Sequence, residues 1–129
     1  MRFRSPAQNN RRSVQTFTIK KMKDRYLKQL MVLLKQAHPR IMSTHRLVFK
    51  NVFGAVGGYV NGRIFISCGM FGVALKLPPK TLGTLFKETD IRHLKYFPKG
   101  HIKKEYAVLP KRILNNKAQF KKLVAISIA

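Results

Sequence analysis

Asn61-Gly62, set between the runs "GYV" and "RIFIS", constrains the fold more than any other pair of residues in the chain. Asn-Gly is the preferred occupant of a type I′ turn, whose two central residues both need positive φ, and that turn matches the twist of the strands it joins. An antiparallel hairpin is expected here. The neighbouring Gly54, Gly57 and Gly58 fit neither G-x-x-x-x-G-K-[ST] nor G-x-G-x-x-G, and no helical pattern follows that could offer its N-terminus to a phosphate. They read instead as sites of a bulge or of close strand packing.

Around this hairpin the apolar spacing predicts the remaining elements. Met22, Tyr26, Leu27, Leu30, Met31 and Leu34 recur at three- and four-residue steps and define an amphipathic helix packed on the sheet, which His38-Pro39 ends. In "MFGVALKLPP" (70–79), Phe71, Val73, Leu75 and Leu77 alternate with Gly72, Ala74 and Lys76 as a strand. Pro78-Pro79 then stops that strand and opens a helix over 80–88, with Leu82, Leu85 and Phe86 inward. Strands are expected near "KYF" (95–97) and "KEYAVLP" (104–110). A last helix over 116–126 turns Phe120, Leu123, Val124 and Ile126 inward. Short turns between neighbouring strands require antiparallel pairing. The class is therefore α+β in two layers, a sheet of about five strands with helices on one face.

A chain of 129 residues supports one core. Residues 1–20, rich in Arg, Asn, Gln and Ser, without an acid and without a sustained apolar period, read as a basic flexible arm before a single domain at 21–129. No apolar run approaches the roughly 18 residues of a membrane span, and no apolar h-region marks a secretory signal. An organelle transit peptide is the less favoured reading of the arm. The single cysteine, Cys68, excludes an internal disulfide, and a reducing cytoplasm is the expected location.

Charge separates the function classes. Twenty-seven Lys and Arg face four acids, Asp24, Glu88, Asp90 and Glu105, for a net charge of +23. So large an imbalance repels itself and attracts polyanions. Two groups of cations are the expected nucleic-acid contacts: Arg2, Arg4, Arg11, Arg12, Lys20, Lys21 and Lys23 in and beside the arm, and Lys95, Lys99, Lys103 and Lys104 around "KYFPKGHIKK". In the second group Tyr96 and Phe97 are weighed both as base-stacking rings and as core residues, with burial of Phe97 favoured. DNA and RNA are equally compatible with this pattern. The competing class is a protein-interaction module, a homodimer or a dock for an acidic partner.

Catalysis is not expected. Four acids leave few titratable pairs, and Cys68, between Ser67 and Gly69 in an expected strand, reads as a small buried thiol. His38, His45, His93 and His101 have no metal-ligand spacing, so neither metal nor cofactor is expected.

With these segments in view, the chain resembles the N-terminal domain of the TfoX/Sxy family over about residues 25–129. The resemblance rests on Val52-Phe53-Gly54, Tyr59-Val60-Asn61-Gly62, Ile64-Phe65, Leu75-Lys76-Leu77-Pro78 and Glu105-Tyr106-Ala107-Val108-Leu109-Pro110. Val52 and Ile64 stand where that pattern has methionines, and the basicity and arm depart from it. The resemblance implies a secretion-chaperone-like two-layer fold, no catalytic residues, and a link to regulation of natural competence.

Overall fold

The structure, a computed structural model, describes the backbone over residues 10–129 and the side chains from Asp24 onward, Met42 excepted. Helix α1 (Asn10–Ala37) and the single turn α2 (Ile41–Thr44) precede four strands: β1 (Leu47–Val52), β2 (Ala55–Val60), β3 (Arg63–Gly69) and β4 (Gly72–Lys76). Helix α3 (Pro79–Leu85), β5 (Arg92–Leu94), β6 (Lys103–Leu109), the turn α4 (Lys111–Leu114) and α5 (Lys117–Ile128) follow. All strand pairs are antiparallel, in the order β1-β2-β3-β4-β6-β5. The α+β class is as expected, with six strands.

Local chemistry sets the element ends. Asn61 and Gly62 both take positive φ (52° and 84°) between the paired residues Val60 and Arg63, the expected two-residue turn. Pro79 occupies the first turn of α3, where its missing N–H costs nothing. Asn116 caps α5 by accepting from the Gln119 amide at 3.1 Å. Helix α1 ends at Ala37, before His38-Pro39. It begins at Asn10, so residues 10–20, expected as flexible arm, belong to the helix. Neither Gly nor Pro interrupts residues 10–37. Residues 1–9 lie outside the described part.

Between β2 and β3 the register shifts. Val60 faces Arg63 and Tyr59 faces Ile64, whereas Gly58 faces Ile66 and Val56 faces Cys68. Phe65 is the extra residue of a β-bulge, so Phe65 and Ile66 together oppose Gly58. A Cβ on Gly58 would lie 2.7 Å from Ile66 Cγ2 and 3.4 Å from rings of both Phe49 and Phe65. Only a bare backbone admits these three side chains. The single proton of the Ser127 hydroxyl is shared between the Lys76 carbonyl at 2.5 Å and the Phe65 carbonyl at 3.0 Å, which ties α5 to the end of β4 and to the bulge.

One face of the sheet carries the helices. Leu30, Leu34 and Ala37 of α1, Ile41 of α2, Leu82 and Leu85 of α3, Ile113 of α4 and Phe120, Leu123 and Val124 of α5 pack on Val56, Ile66, Cys68, Val73, Leu75 and Leu109. Full burial contributes about 1.5–3 kcal/mol for each large apolar side chain, which makes this layer the main source of stability. Three expectations are corrected. Met31 is 38% exposed, because the buried stripe of α1 runs through Leu30, Leu34 and Ala37. The short strand β5 ends at Leu94, and "KYF" lies beyond it in an irregular segment. Phe71 sits in a two-residue turn between the paired Gly69 and Gly72, which takes it out of the strand alternation and into a second, smaller cluster on the other face.

Gly58→Ala is expected to destabilise by about 1–3 kcal/mol through overpacking against Ile66. Gly57→Ala should cost less, because the atom nearest its Cβ is the terminal Ile64 Cδ1, at 2.9 Å. Gly62→Val should cost about 1–2 kcal/mol through left-handed backbone strain. Urea midpoints at constant m-value give all three.

Candidate nucleic-acid interface

The face of the sheet away from the helices is floored by small residues. Gly57 faces Ser67 and Ser67 faces Ala74, a row across β2, β3 and β4. Onto this floor comes the irregular segment 95–101, whose Tyr96 hydroxyl donates to Ser67 Oγ at 3.2 Å. Ser67 is fully buried there. Burial raises the Tyr96 phenol, while the hydrogen bond to Ser67 acts in the opposite direction. Ile64, Phe71 and Tyr96 pack against Ala74, Leu94, Tyr106 and Val108 to complete the cluster.

At one end of this face the side chains do not bury themselves. In an up-and-down meander the β1–β2 and β3–β4 turns fall at the same sheet end, which brings Phe53-Gly54 and Met70-Phe71 together. Phe53 is 63% exposed, Phe97 53% and Met70 92%. Tyr96 links the group, with its ring centroid 5.4 Å from Phe53 and 5.5 Å from Phe71, and Phe97 stands edge-on to Phe53 at 5.8 Å. Burial of Phe97, the favoured expectation, is therefore corrected: Tyr96 takes the floor and leaves the adjacent ring outside. Phe53 has φ of 48°, a left-handed conformation that costs a side-chain-bearing residue about 1–2 kcal/mol. A bulky ring is thus held at a turn position that Asn or Gly occupies at less cost.

Cations lie along this face, and no acid occurs in residues 46–87 or 91–104. Lys50 Nζ lies 5.1 Å from the Tyr59 ring centroid, and Arg92 Nη2 donates to the Phe71 carbonyl at 3.0 Å, bracing the β3–β4 turn. Lys95 and Lys99 are exposed and flank Tyr96-Phe97 along the segment. Three of the four acids are engaged elsewhere. Asp90 takes two hydrogen bonds of 2.6 Å from Arg112, Glu88 joins the same guanidinium, and Glu105 pairs with Lys76 at 3.4 Å. The Arg112 guanidinium holds the Asp90 carboxyl below its ordinary range.

The expected contact residues divide accordingly. Lys95 and Lys99 lie in the aromatic segment, whereas Lys103 and Lys104 are exposed at the start of β6. Lys104 lines an apolar groove of about 610 Å³ with Phe86 and His93, whose rings stack at 4.2 Å. Arg11, Arg12, Lys20, Lys21 and Lys23 fall on α1, where the described part gives the backbone alone, and Arg2 and Arg4 lie outside the described residues. Sequence reasoning missed Phe53, Met70, Lys50 and Arg92. Alternation across Asn61-Gly62 fixes one turn, but Phe-Gly is not a favoured turn pair, and only the pairing of Val52 with Ala55 exposes it.

Compared with protein-family models, curated proteins and solved structures, the chain matches none of them. What the structure defines is the class: an α+β protein with helices on one face of an antiparallel sheet and a cationic, aromatic end on the other. Among the described residues no group of His, Cys, Asp and Glu is arranged to hold a metal, and no helix is long and apolar enough to cross a membrane.

Cys68 is fully buried, donates to Gln29 Oε1 at 3.3 Å, and is pushed by burial up to about 11. At pH 8 only about one thiol in a thousand would then be ionised, against roughly a quarter for a free cysteine. Labelling by a thiol-disulfide reagent at that pH is expected to be at least about a hundredfold slower in the native chain than in denaturant.

Proposed function

We propose that this chain is a non-enzymatic accessory or regulatory protein that associates with nucleic acid through its basic surface, in the cytoplasm. The observation that carries the reading is the separation of charge. Three of the four acids spend themselves on Arg112 and Lys76, and the aromatic end keeps cations unopposed by any acid in its own segments. Each phosphate neutralised releases condensed counterions, so affinity comes from this surface without sequence being read. The resemblance to the TfoX N-terminal domain supports a regulatory role.

A second reading has its own observation. Strand β1 pairs with β2 alone among the described residues, and a six-residue edge can add a strand from another copy or from an acidic protein.

A salt titration against duplex DNA, RNA and heparin tests the first reading. With six to ten phosphate contacts the logarithm of affinity should fall with the logarithm of salt at a slope of about 5 to 9 for duplex DNA. Lys95→Gln with Lys99→Gln, and separately Arg11→Gln with Arg12→Gln, should each reduce the slope by up to about 2. Absence of binding in dilute buffer, with a concentration-dependent dimer in sedimentation, would favour the edge strand instead.

A further inference from the structure

We infer that the exposed aromatic end is a base-stacking platform for single-stranded nucleic acid, with Phe53 and Phe97 as the stacking rings and Lys50, Lys95 and Lys99 as the phosphate contacts. The inference rests on the nucleic-acid reading above and makes it specific. In a duplex the base faces are already stacked on one another, so rings at a protein surface cannot reach them. A single strand offers one free face per nucleotide.

Three independent observations converge on these residues. First, Phe53 keeps a left-handed backbone that a turn-forming residue would occupy at less strain, and its ring remains largely in solvent. Strain of this kind concentrates where side chains serve binding. Second, the rings are propped from below. Tyr96, fixed by Ser67, supports Phe53, and Phe53 stands against Phe97. The turn under Phe97 is closed by the Gly100 amide donating to the Phe97 carbonyl at 2.9 Å. Third, a groove of about 500 Å³ lined by Arg46, Val48, Lys50, Tyr59 and Asn61 continues along β1 and β2 on the same face. Lys50 stands at the near end of this groove, two residues along β1 from Val52, which borders the Phe53 turn, and the groove runs from there toward Asn61-Gly62. A strand whose bases lie on Phe53 and Phe97 can therefore continue into a cationic track.

Charge decides the class of occupant. An acidic peptide would satisfy the lysines but would leave the exposed rings without flat partners, whereas nucleobases satisfy both. Stacking tolerates any base and either sugar, so no sequence preference follows.

The test uses the full chain and fluorescein-labelled single strands of about 12 nucleotides, in RNA and DNA form, beside a DNA duplex and an abasic strand of equal phosphate count. The parent should bind the single strands roughly tenfold more tightly than the abasic strand at about 50 mM salt. Phe53→Asn, which makes the turn Asn-Gly, should melt at or above the parent temperature yet lose most of that tenfold advantage, with duplex affinity changed by less than about twofold. Phe97→Ala should act in the same direction. If the abasic strand and polyglutamate compete as well as the base-bearing strands, or if Phe53→Asn leaves single-strand affinity intact, stacking is overturned while electrostatic binding stands. If no polyanion binds at all, both readings fail together.

Discussion

The steric requirement at Gly58 is the constraint on which the rest depends. A two-residue turn at Asn61-Gly62 pairs Val60 with Arg63, and an unbroken ladder from there would set Phe65 against Gly58 and Ser67 against Val56. Ser67 would then point into the helix layer and Cys68 out of it. The bulge at Phe65 reverses this. Beyond it Ile66 and Cys68 face the helices, and Ser67 faces the floor that receives Tyr96. The bulge needs room for two side chains opposite one residue, and Gly58 supplies it by having none. One missing Cβ thus joins the packing of the core to the construction of the opposite face.

The two faces divide the work of the molecule. The helix layer buries Phe65, Ile66, Leu75, Leu34 and Phe120 and supplies stability by area. The other face buries less and uses its few polar contacts for position. Ser67 orients Tyr96, Arg92 holds the Phe71 carbonyl, and Arg112 gathers Glu88 and Asp90 to fix the α3–β5 connection against α4. That last contact is partly exposed, and its value lies in placing the chain at the start of β5, from which segment 95–101 departs, more than in raw energy. The scarce acids therefore serve the fold and leave the aromatic end cationic.

What the sequence disclosed follows from how local each signal is. Asn61-Gly62, Pro78-Pro79 and the spacing of Leu30 and Leu34 act over a few residues, and the structure keeps each of them. The alternation of Val73, Leu75 and Leu77 likewise holds. The bulge is different. Nothing within "RIFISCG" separates Phe65 and Ile66 as an inward pair, because the choice is made across the sheet by Gly58, Phe49 and Ser127. The exposed end was equally hidden. Lys95 and Lys99 could be picked out by charge, but Phe53 and Met70 become neighbours of Tyr96-Phe97 only through the meander, and a Phe-Gly turn runs against the propensities by which turns are recognised. The reach of α1 back to Asn10 has no apolar stripe comparable to that of residues 26–37 to announce it.

Salt acts on this protein in two opposing ways. A net charge of +23 on 129 residues strains the folded state by self-repulsion, which added salt screens over a Debye length of about 8 Å at physiological strength. The same salt weakens attraction to phosphate. A bound polyanion would relieve the self-repulsion directly, since phosphates placed along Lys50, Lys95 and Lys99 would neutralise charge in segments that carry no acid. Binding and folding are then linked through one electrostatic quantity, because a ligand that binds only the folded chain stabilises it by mass action. The base rings enter separately. The proposed stacking on Phe53 and Phe97 would be short-ranged and little affected by salt, so raising the ionic strength would strip general polyanion affinity first and leave the contribution of the bases.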